Sequence, residues 1–237
     1  MSSNIDYTSP STQFTFDVND STLFKKDQQN YINILGVEQL NTLENTSLLD
    51  IFLSKDNVVE PHYHQNAAEL VYCISGAAIV SILNPFTKKI ENYPIKPGQV
   101  ANVPQGWWHY EVATEDDTHL LAIFDAPTPE VILGSDILTF TPSNIMAHTY
   151  CLDEKQWKKT IAPIVPSTYI GPPKNCNRVK SASEKQKESD CKCKRKPKPK
   201  QPNYMNPYPY HYPYVYPYDS YGSYGSYGSY GSYGSYY

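Results

Sequence analysis

Three side chains of metal-binding type lie close together in the first third of the chain. His62 and His64 stand two residues apart in E-P-H-Y-H, and Glu69 follows after a short polar stretch. Because side chains alternate between the two faces of a strand, this spacing places both imidazoles on one face and Tyr63 on the other. A short loop between two strands can bring Glu69 back over the histidines. Two neutral imidazoles and a carboxylate at one point form a site for a divalent first-row metal.

A second segment, residues 98–109, supplies a further histidine. It reads G-Q-V-A-N-V-P-Q-G-W-W-H, in which glycine and proline mark a turn, a strand and a second tight turn. This order of elements delivers His109 at the start of another strand. The two segments together are the part of the chain best suited to chemistry.

Taken in order, the fixed positions read H-x-H-x4-E-x6-G and then G-x5-P-x-G-x2-H. They resemble the two signature motifs of the cupin superfamily, and the surrounding sequence, over residues 28 to 160, is most similar to the oxalate decarboxylase and germin branch. The resemblance implies a metal ion held by His62, His64, Glu69 and His109, with open positions for substrate or dioxygen. Such a ligand set suits Mn²⁺ or Fe²⁺, and Zn, Ni and Cu ions also accept these ligand types.

Two departures from the family pattern bear on activity. The family places a glycine six residues before the first histidine, where this chain has Asp56; with Asn57 it can make the same turn in the left-handed conformation. Oxalate-decomposing relatives place an arginine three residues before that histidine, to hold the substrate carboxylate, and this chain has Val59. Residues 1–173 contain no arginine at all, so the barrel lacks a bidentate fork for a carboxylate.

The acidic lid segment of these relatives is also shortened here. Asp125 and Glu130 are the nearby candidates for a general acid, and the alternative is that both are ordinary loop carboxylates. Aromatic side chains beside the motifs are candidates for a substrate entrance, or else serve barrel packing and a subunit face: Tyr63, Tyr72, Trp108 and Tyr110.

From Tyr31 onward, apolar runs of about six residues alternate with turn residues. Little helical periodicity accompanies them, so the fold class is all-β, a single jelly-roll barrel of the cupin type. One or two short helices are expected after the barrel, one after Thr141-Pro142 and one capped by Asp153. Cys73 and Cys151 are expected to be packed.

Charge and composition divide the chain into four parts. Residues 1–27 form an N-terminal arm, with F-T-F-D-V at 14–18 as an edge strand or ordered arm, and residues 28–172 form the barrel. The composition predicts that residues 173–202 form a basic disordered linker and that residues 203–237 form a tyrosine-rich, low-complexity tail. The net charge is −11 for residues 1–173 (9 Lys, 20 Asp/Glu) and +8 for residues 174–200 (11 Lys/Arg, 3 acids). The basic run suits any polyanion, but no nucleic-acid fold accompanies it.

The tail carries 14 tyrosines from Tyr204 onward, first between prolines and then in five Y-G-S triplets. It resembles the Tyr/Gly-rich tails of bacterial spore coat proteins. Because phenols couple oxidatively, the tail predicts partners among coat or matrix proteins. The barrel is expected to form a homo-oligomer. The cross-linking candidates are Tyr221, Tyr224, Tyr227, Tyr230, Tyr233 and Tyr236.

Two functions follow. The first is a metal-binding structural or assembly component of a spore coat or similar matrix. The alternative is an active metalloenzyme of oxalate decarboxylase, oxidase or dioxygenase type that acts on a small carboxylate or other oxygen-rich substrate. The N-terminus shows no signal peptide and no apolar run approaches 18 residues, which predicts cytoplasmic synthesis and no membrane span. The tail predicts deposition in a spore coat.

Overall fold

Two antiparallel β-sheets carry the histidine segments. The structure is a computed structural model that describes residues 5–174 and 176. Strands along this part of the chain are β1 (Thr22–Lys25), β2 (Tyr31–Leu35), β3 (Ser47–Leu53), β4 (Val58–Tyr63), β5 (Glu69–Ser75), β6 (Ala78–Asn84), β7 (Lys89–Ile95), β8 (Val100–Val103), β9 (His109–Ala113), β10 (Thr118–Phe124), β11 (Ile132–Leu133) and β12 (Ile170–Gly171).

One sheet has the strand order β1-β2-β3-β10-β5-β8 and the other β11-β4-β9-β6-β7, with β12 paired to β4. Strands distant in sequence lie side by side, as β10 does between β3 and β5. This arrangement confirms the predicted all-β jelly roll. It also places the ligand-bearing strands β4 and β9 next to each other in one sheet, opposite β5 in the other.

The core lies between the sheets and follows the alternation of each strand. In β10, Leu120, Ala122 and Phe124 are buried while the residues between them are half-exposed. In β5, Val71 and Cys73 are buried on the same face as Glu69. The predicted packing of Cys73 is thereby confirmed, and Glu69 is directed into the barrel interior with the apolar core.

Two tight turns depend on left-handed backbone. Asp56 has φ +66°, as expected for the residue that replaces the family glycine. Gly76, between β5 and β6, has φ +67°, and a Cβ there would lie 2.5 Å from Thr118 Oγ1 and 2.6 Å from Thr118 Cα. Only glycine fits this close approach of two backbones.

The N-terminal segment is an ordered arm. Residues 14–17 form no strand, and the edge strand is β1, a few residues further on. The Gln13 amide donates to Asn41 Oδ1 (2.9 Å), and Thr42 Oγ1 donates to the Gln13 carbonyl (2.6 Å). These hydrogen bonds fasten the arm to the loop between β2 and β3.

Three short helices follow the barrel strands: α1 (Gly134–Phe140), α2 (Ser143–Tyr150) and α3 (Glu154–Ile161). The two predicted helices are α2 and α3, and the Asp153 side chain caps α3 by accepting from the Gln156 amide (2.7 Å). Sequence reasoning did not foresee α1. Cys151 is exposed at the left-handed end of α2 (φ +54°), so its expected packing was wrong. No helix in residues 5–174 is both long and apolar enough to span a bilayer.

Glu60 ties this C-terminal segment to the strand that bears the histidines. Its buried carboxylate accepts from the Ser135 amide (2.8 Å), the Ser135 hydroxyl (2.9 Å) and the Tyr169 amide (2.8 Å). Leu133, the residue before α1, offers no side-chain cap, so Glu60 caps α1 in its place. Because Glu60 lies two residues before His62, the C-terminal segment helps to fix the histidine strand.

The tyrosine-rich tail and all but the first few residues of the basic linker lie outside the described residues. Their disorder and low complexity stay predictions.

Candidate metal centre

The four predicted ligands meet inside the barrel. His62 lies on β4 and His64 directly after it, while Glu69 and His109 begin β5 and β9. One ligand atom from each lies within 4.8 Å of the others, and all four side chains are buried. In the β4–β9 ladder His62 stands opposite His109, which brings their ring centroids within 4.0 Å. Glu69 belongs to the other sheet, so the cluster joins the two layers of the fold.

The three imidazoles share one tautomer. Each Nδ1 lies within hydrogen-bond distance of a backbone carbonyl: that of Glu60 for His62 (2.6 Å), Glu130 for His64 (2.8 Å) and Trp107 for His109 (2.8 Å). A carbonyl oxygen only accepts, so each Nδ1 carries the hydrogen and donates it. In the neutral ring this leaves a lone pair on Nε2. Such bonds orient imidazoles for a metal, and the residues present fit one.

One ligand atom has no partner within the protein. His64 Nε2 is buried and makes no hydrogen bond in the described structure. The nearest carboxylate oxygen, Glu69 Oε2, lies 3.4 Å from it and 2.7 Å from His109 Nε2. A buried polar atom without a partner is costly. A cation at the shared point would satisfy His64 Nε2 and use the carboxylate at the same time.

The ionisation of the cluster reflects burial and the single carboxylate. Burial, helped by the neighbouring His109, lowers the pKa of His62 to about 3. Burial also opposes the charge on His109, but Glu69 outweighs it and raises the pKa of His109 to about 9. Burial alone would raise the pKa of Glu69, but His109 and His64 outweigh this effect and hold that pKa well below its usual range. Without a cation His109 is therefore the proton carrier, and proton and metal compete for its Nε2.

A fifth polar residue, Glu111, faces the same interior and was missed by sequence reasoning. It is the next inward position on β9 after His109, its Oε1 lies 3.6 Å from His109 Nε2, and it is 1% exposed. Burial, followed by the charge of Glu69, raises the pKa of Glu111 to about 8. The alternation in H-Y-E would have revealed it, because residues two apart on a strand share a face.

A cavity of about 90 Å³ lies beside the cluster. Its polar lining comes from His62, His64, Glu69 and Glu111, and most of the remainder is apolar, including Ile32, Ile51, Leu133 and Val59. Val59, which stands where oxalate-decomposing relatives place an arginine, thus forms part of the wall. No lysine or arginine of the described chain lines the cavity. A water molecule needs about 10–15 Å³ by this kind of measure, so the space suits a small ligand.

The general-acid candidates lie at the surface. The exposed Glu130 carboxylate accepts from Gln65 Nε2 (2.9 Å), and it is the Glu130 backbone carbonyl that orients His64. The exposed Asp125 carboxylate accepts from the Ala68 amide (2.8 Å). Neither carboxylate is part of the cavity lining, and a role for either as proton donor stays a prediction.

Three of the four aromatic candidates occupy outward positions on or beside the ligand-bearing strands. Tyr63, Tyr72 and Tyr110 alternate with buried neighbours, and Tyr72 is 38% exposed. Trp108 lines a separate groove of about 500 Å³ between the barrel and α1. None of the four lines the cavity beside the cluster, so substrate contact there stays a prediction. The tail tyrosines proposed for cross-linking lie outside the described residues.

The fold and the site define a jelly-roll barrel with an inward-facing cluster of three histidines and one glutamate that could hold a metal ion. The chain belongs to the cupin family, whose model matches residues 20–158.

Relatives of the chain include a glycinin and a germin-like protein. The chain is 24% identical over 129 residues to glycinin G3 of Glycine max, covering 53% of this chain and 27% of that protein. It is 27% identical over 129 residues to a probable germin-like protein, subfamily 2 member 5, of Arabidopsis thaliana, covering 54% and 60%. The structure of oxalate decarboxylase from Bacillus subtilis matches with a TM-score of 0.58 at 22% identity, covering 73% of this chain and 47% of that one. The chain thus spans less than two-thirds of each, and the structural match shows the fold alone.

Proposed function

We propose that this protein is a metal-binding cupin that holds Mn²⁺ or Fe²⁺ at His62, His64, Glu69 and His109. The observation that carries the proposal is the buried His64 Nε2, which has no partner although its ring is oriented by a hydrogen bond from Nδ1. A cluster built only for packing would not need three imidazoles fixed in one tautomer. A bound divalent ion would supply the missing partner.

The ligand types guide the choice of ion. Three imidazole nitrogens and one carboxylate oxygen suit Mn²⁺ or Fe²⁺, although Zn, Ni and Cu ions accept the same donors. The Bacillus subtilis oxalate decarboxylase that shares this fold has Mn(II) centres, which supports manganese as the first ion to test. When bound, the ion would act as a Lewis acid toward a small oxygen-bearing ligand in the adjacent cavity.

The metal proposal is tested by elemental analysis of the purified full-length protein. We expect close to one equivalent of metal per chain, and loss of that metal when His62 and His64 are both replaced by alanine. His148→Ala is the matched control, because His148 is exposed at the end of α2. Unchanged metal content in the double variant would exclude this site.

We further propose that the protein is a structural or assembly component of a bacterial spore coat or a similar matrix. The support is the sequence of the tail, whose 14 tyrosines are spaced by proline, glycine and serine. Tyrosines in an extended chain stack on one another and on lysine or arginine, and their phenols couple oxidatively. The barrel would then be the folded unit that the tail attaches to coat or matrix partners.

The assembly role is tested by comparing the full-length protein with a chain that ends at Pro173, just after β12. Under peroxide treatment the full-length protein should become insoluble and form dityrosine, measured by its fluorescence, whereas the shorter chain should stay in solution. Replacing the six cross-linking candidates, five in the Y-G-S repeats and Tyr236 after them, by phenylalanine keeps the rings but removes the phenols. Equal solubility of all three proteins would contradict the assembly role.

A catalytic role is the second candidate, and the cavity beside the cluster is the observation that favours it. Its apolar walls, with Val59 in place of an arginine, disfavour a dicarboxylate such as oxalate. A small, largely apolar molecule with one oxygen donor, or dioxygen, is better matched. The test is turnover of oxalate, other small carboxylates and phenols by Mn²⁺- or Fe²⁺-loaded protein, with the His62/His64 double variant as control. Oxalate turnover at enzyme-like rates would contradict the inference from the missing arginine.

A further inference from the structure

Glu111 is a buried acid that the proposed ligand set does not explain. It sits on β9 between two apolar neighbours, in register with Val59 of β4 and Val80 of β6. Its side chain is 1% exposed, and neither carboxylate oxygen has a hydrogen-bond partner in the described structure. Burying an acid without partners is costly, so its presence calls for a compensating group.

The side chain is aimed at the candidate metal centre. Glu111 Oε1 lies 3.6 Å from His109 Nε2, the ring nitrogen of His109 that faces the cluster and would bind the ion. Glu111 also lines the same cavity as His62, His64 and Glu69. The unpartnered oxygens therefore border the space in which an ion and its exchangeable ligand would lie.

The net charge of the proposed metal centre would explain why an acid is buried at position 111. A divalent ion held by three neutral imidazoles and the Glu69 carboxylate leaves one positive charge uncompensated in a buried site. No lysine, arginine or aspartate of the described chain lines the cavity, so Glu111 is the remaining carboxylate there. A net buried charge is strongly unfavourable, and a second carboxylate brings the sum to zero.

We propose that Glu111 is the second anionic group of the metal centre, which neutralises the remaining charge of the divalent ion. The inference rests on the proposed metal binding and deepens it. It assigns the centre three imidazoles and two carboxylates, and it implies that the exchangeable positions prefer a neutral ligand.

The test uses Glu111→Gln in the full-length protein, because glutamine keeps the shape and removes the charge. Binding of Mn²⁺ is measured by calorimetry after dialysis against a chelator. We expect the variant to bind Mn²⁺ about 10–100-fold more weakly, the range found when groups that support metal ligands are removed. Glu115→Gln is the matched control, since Glu115 is an exposed acid four residues further on, and it should bind Mn²⁺ as the wild type does.

A second readout separates this role from a purely structural one. In the chelator-treated protein Glu111 has no hydrogen bond to lose, so Glu111→Gln should unfold at the same temperature as the wild type or higher. Equal Mn²⁺ affinity of wild type and variant would overturn the inference and leave metal binding intact. A chelator-treated variant that unfolds at lower temperature would also overturn it, as the residue would then act in the fold. Failure of the wild type to bind Mn²⁺ or any other divalent ion would overturn the proposed metal binding itself.

Discussion

Replacing Glu60 by glutamine should destabilise the protein far more than the small chemical change implies. The Glu60 carboxylate accepts three hydrogen bonds, two from Ser135 and one from the Tyr169 amide. All three donors lie on the C-terminal segment, more than 70 residues from Glu60 along the chain. The carboxylate therefore links β4 to that segment through a side chain, in addition to the backbone pairing of β12 with β4.

The expected cost follows from the donors. Glutamine offers one carbonyl oxygen and one NH₂ group, so in either orientation an NH₂ faces a protein donor that the carboxylate had satisfied. An unsatisfied buried donor costs about 1–3 kcal/mol, and the remaining hydrogen bonds lose their charge-assisted strength, about 1 kcal/mol. We expect the free energy of unfolding to fall by about 2–4 kcal/mol.

Urea unfolding, followed by circular dichroism in the presence of a chelator, measures this change. With a slope of about 2 kcal/mol per M, the midpoint should fall by roughly 1–2 M. Glu91→Gln is the control, because Glu91 is a half-exposed acid on β7, and its midpoint should stay within about 0.3 M of the wild type. A shift of less than about 0.5 M for Glu60→Gln would refute the reasoning that this carboxylate holds the C-terminal segment.

Three further predictions concern single residues. The pKa of Glu111 is raised to about 8, so its contribution to stability is complete below its unfolded pKa and is lost as pH rises through 8. Between pH 5 and 8 the free energy of unfolding of the chelator-treated wild type should therefore fall relative to that of chelator-treated Glu111→Gln. Urea unfolding should show a difference that grows by up to about 1.4 kcal/mol per pH unit. Gly76→Ala forces a Cβ to within 2.6 Å of Thr118 at positive φ and should cost about 2–5 kcal/mol of stability. Gly98→Ala, at positive φ in open space, should cost about 1–2 kcal/mol. Equal shifts in the unfolding temperature of the two variants would contradict the close approach at Gly76. Asp153→Ala removes the cap of α3 and should cost about 1 kcal/mol, which Asp153→Asn should largely restore.

The candidate metal ligands could be predicted from the sequence because their positions follow local rules. Strand alternation places His62 and His64 on one face, and the motif spacing places Glu69 and His109 at strand starts. The left-handed turn at Asp56 was readable for the same reason, since aspartate tolerates this conformation. The alternation rule also reaches Glu111, two residues beyond His109, but no family motif draws attention to that position.

Other features depend on partners that are distant in sequence. Helix α1 begins at a glycine without a local cap, and the group that caps it is Glu60, 75 residues earlier. The edge strand forms at residues 22–25 because its pairing residues lie on β2, and the apolar run at 14–18 finds no such partner. Neither result could be obtained from local propensity, since non-local contacts decide both.

The hydrogen bond between His64 Nδ1 and the Glu130 carbonyl spans 66 residues. The ring of His64 therefore gains its orienting partner only when the loop after β10 lies against the barrel. Ion capture would then be a late event in maturation, reserved for chains whose strands are already in register. A truncated or misfolded chain would present the same side chains without the arrangement that makes them a chelator.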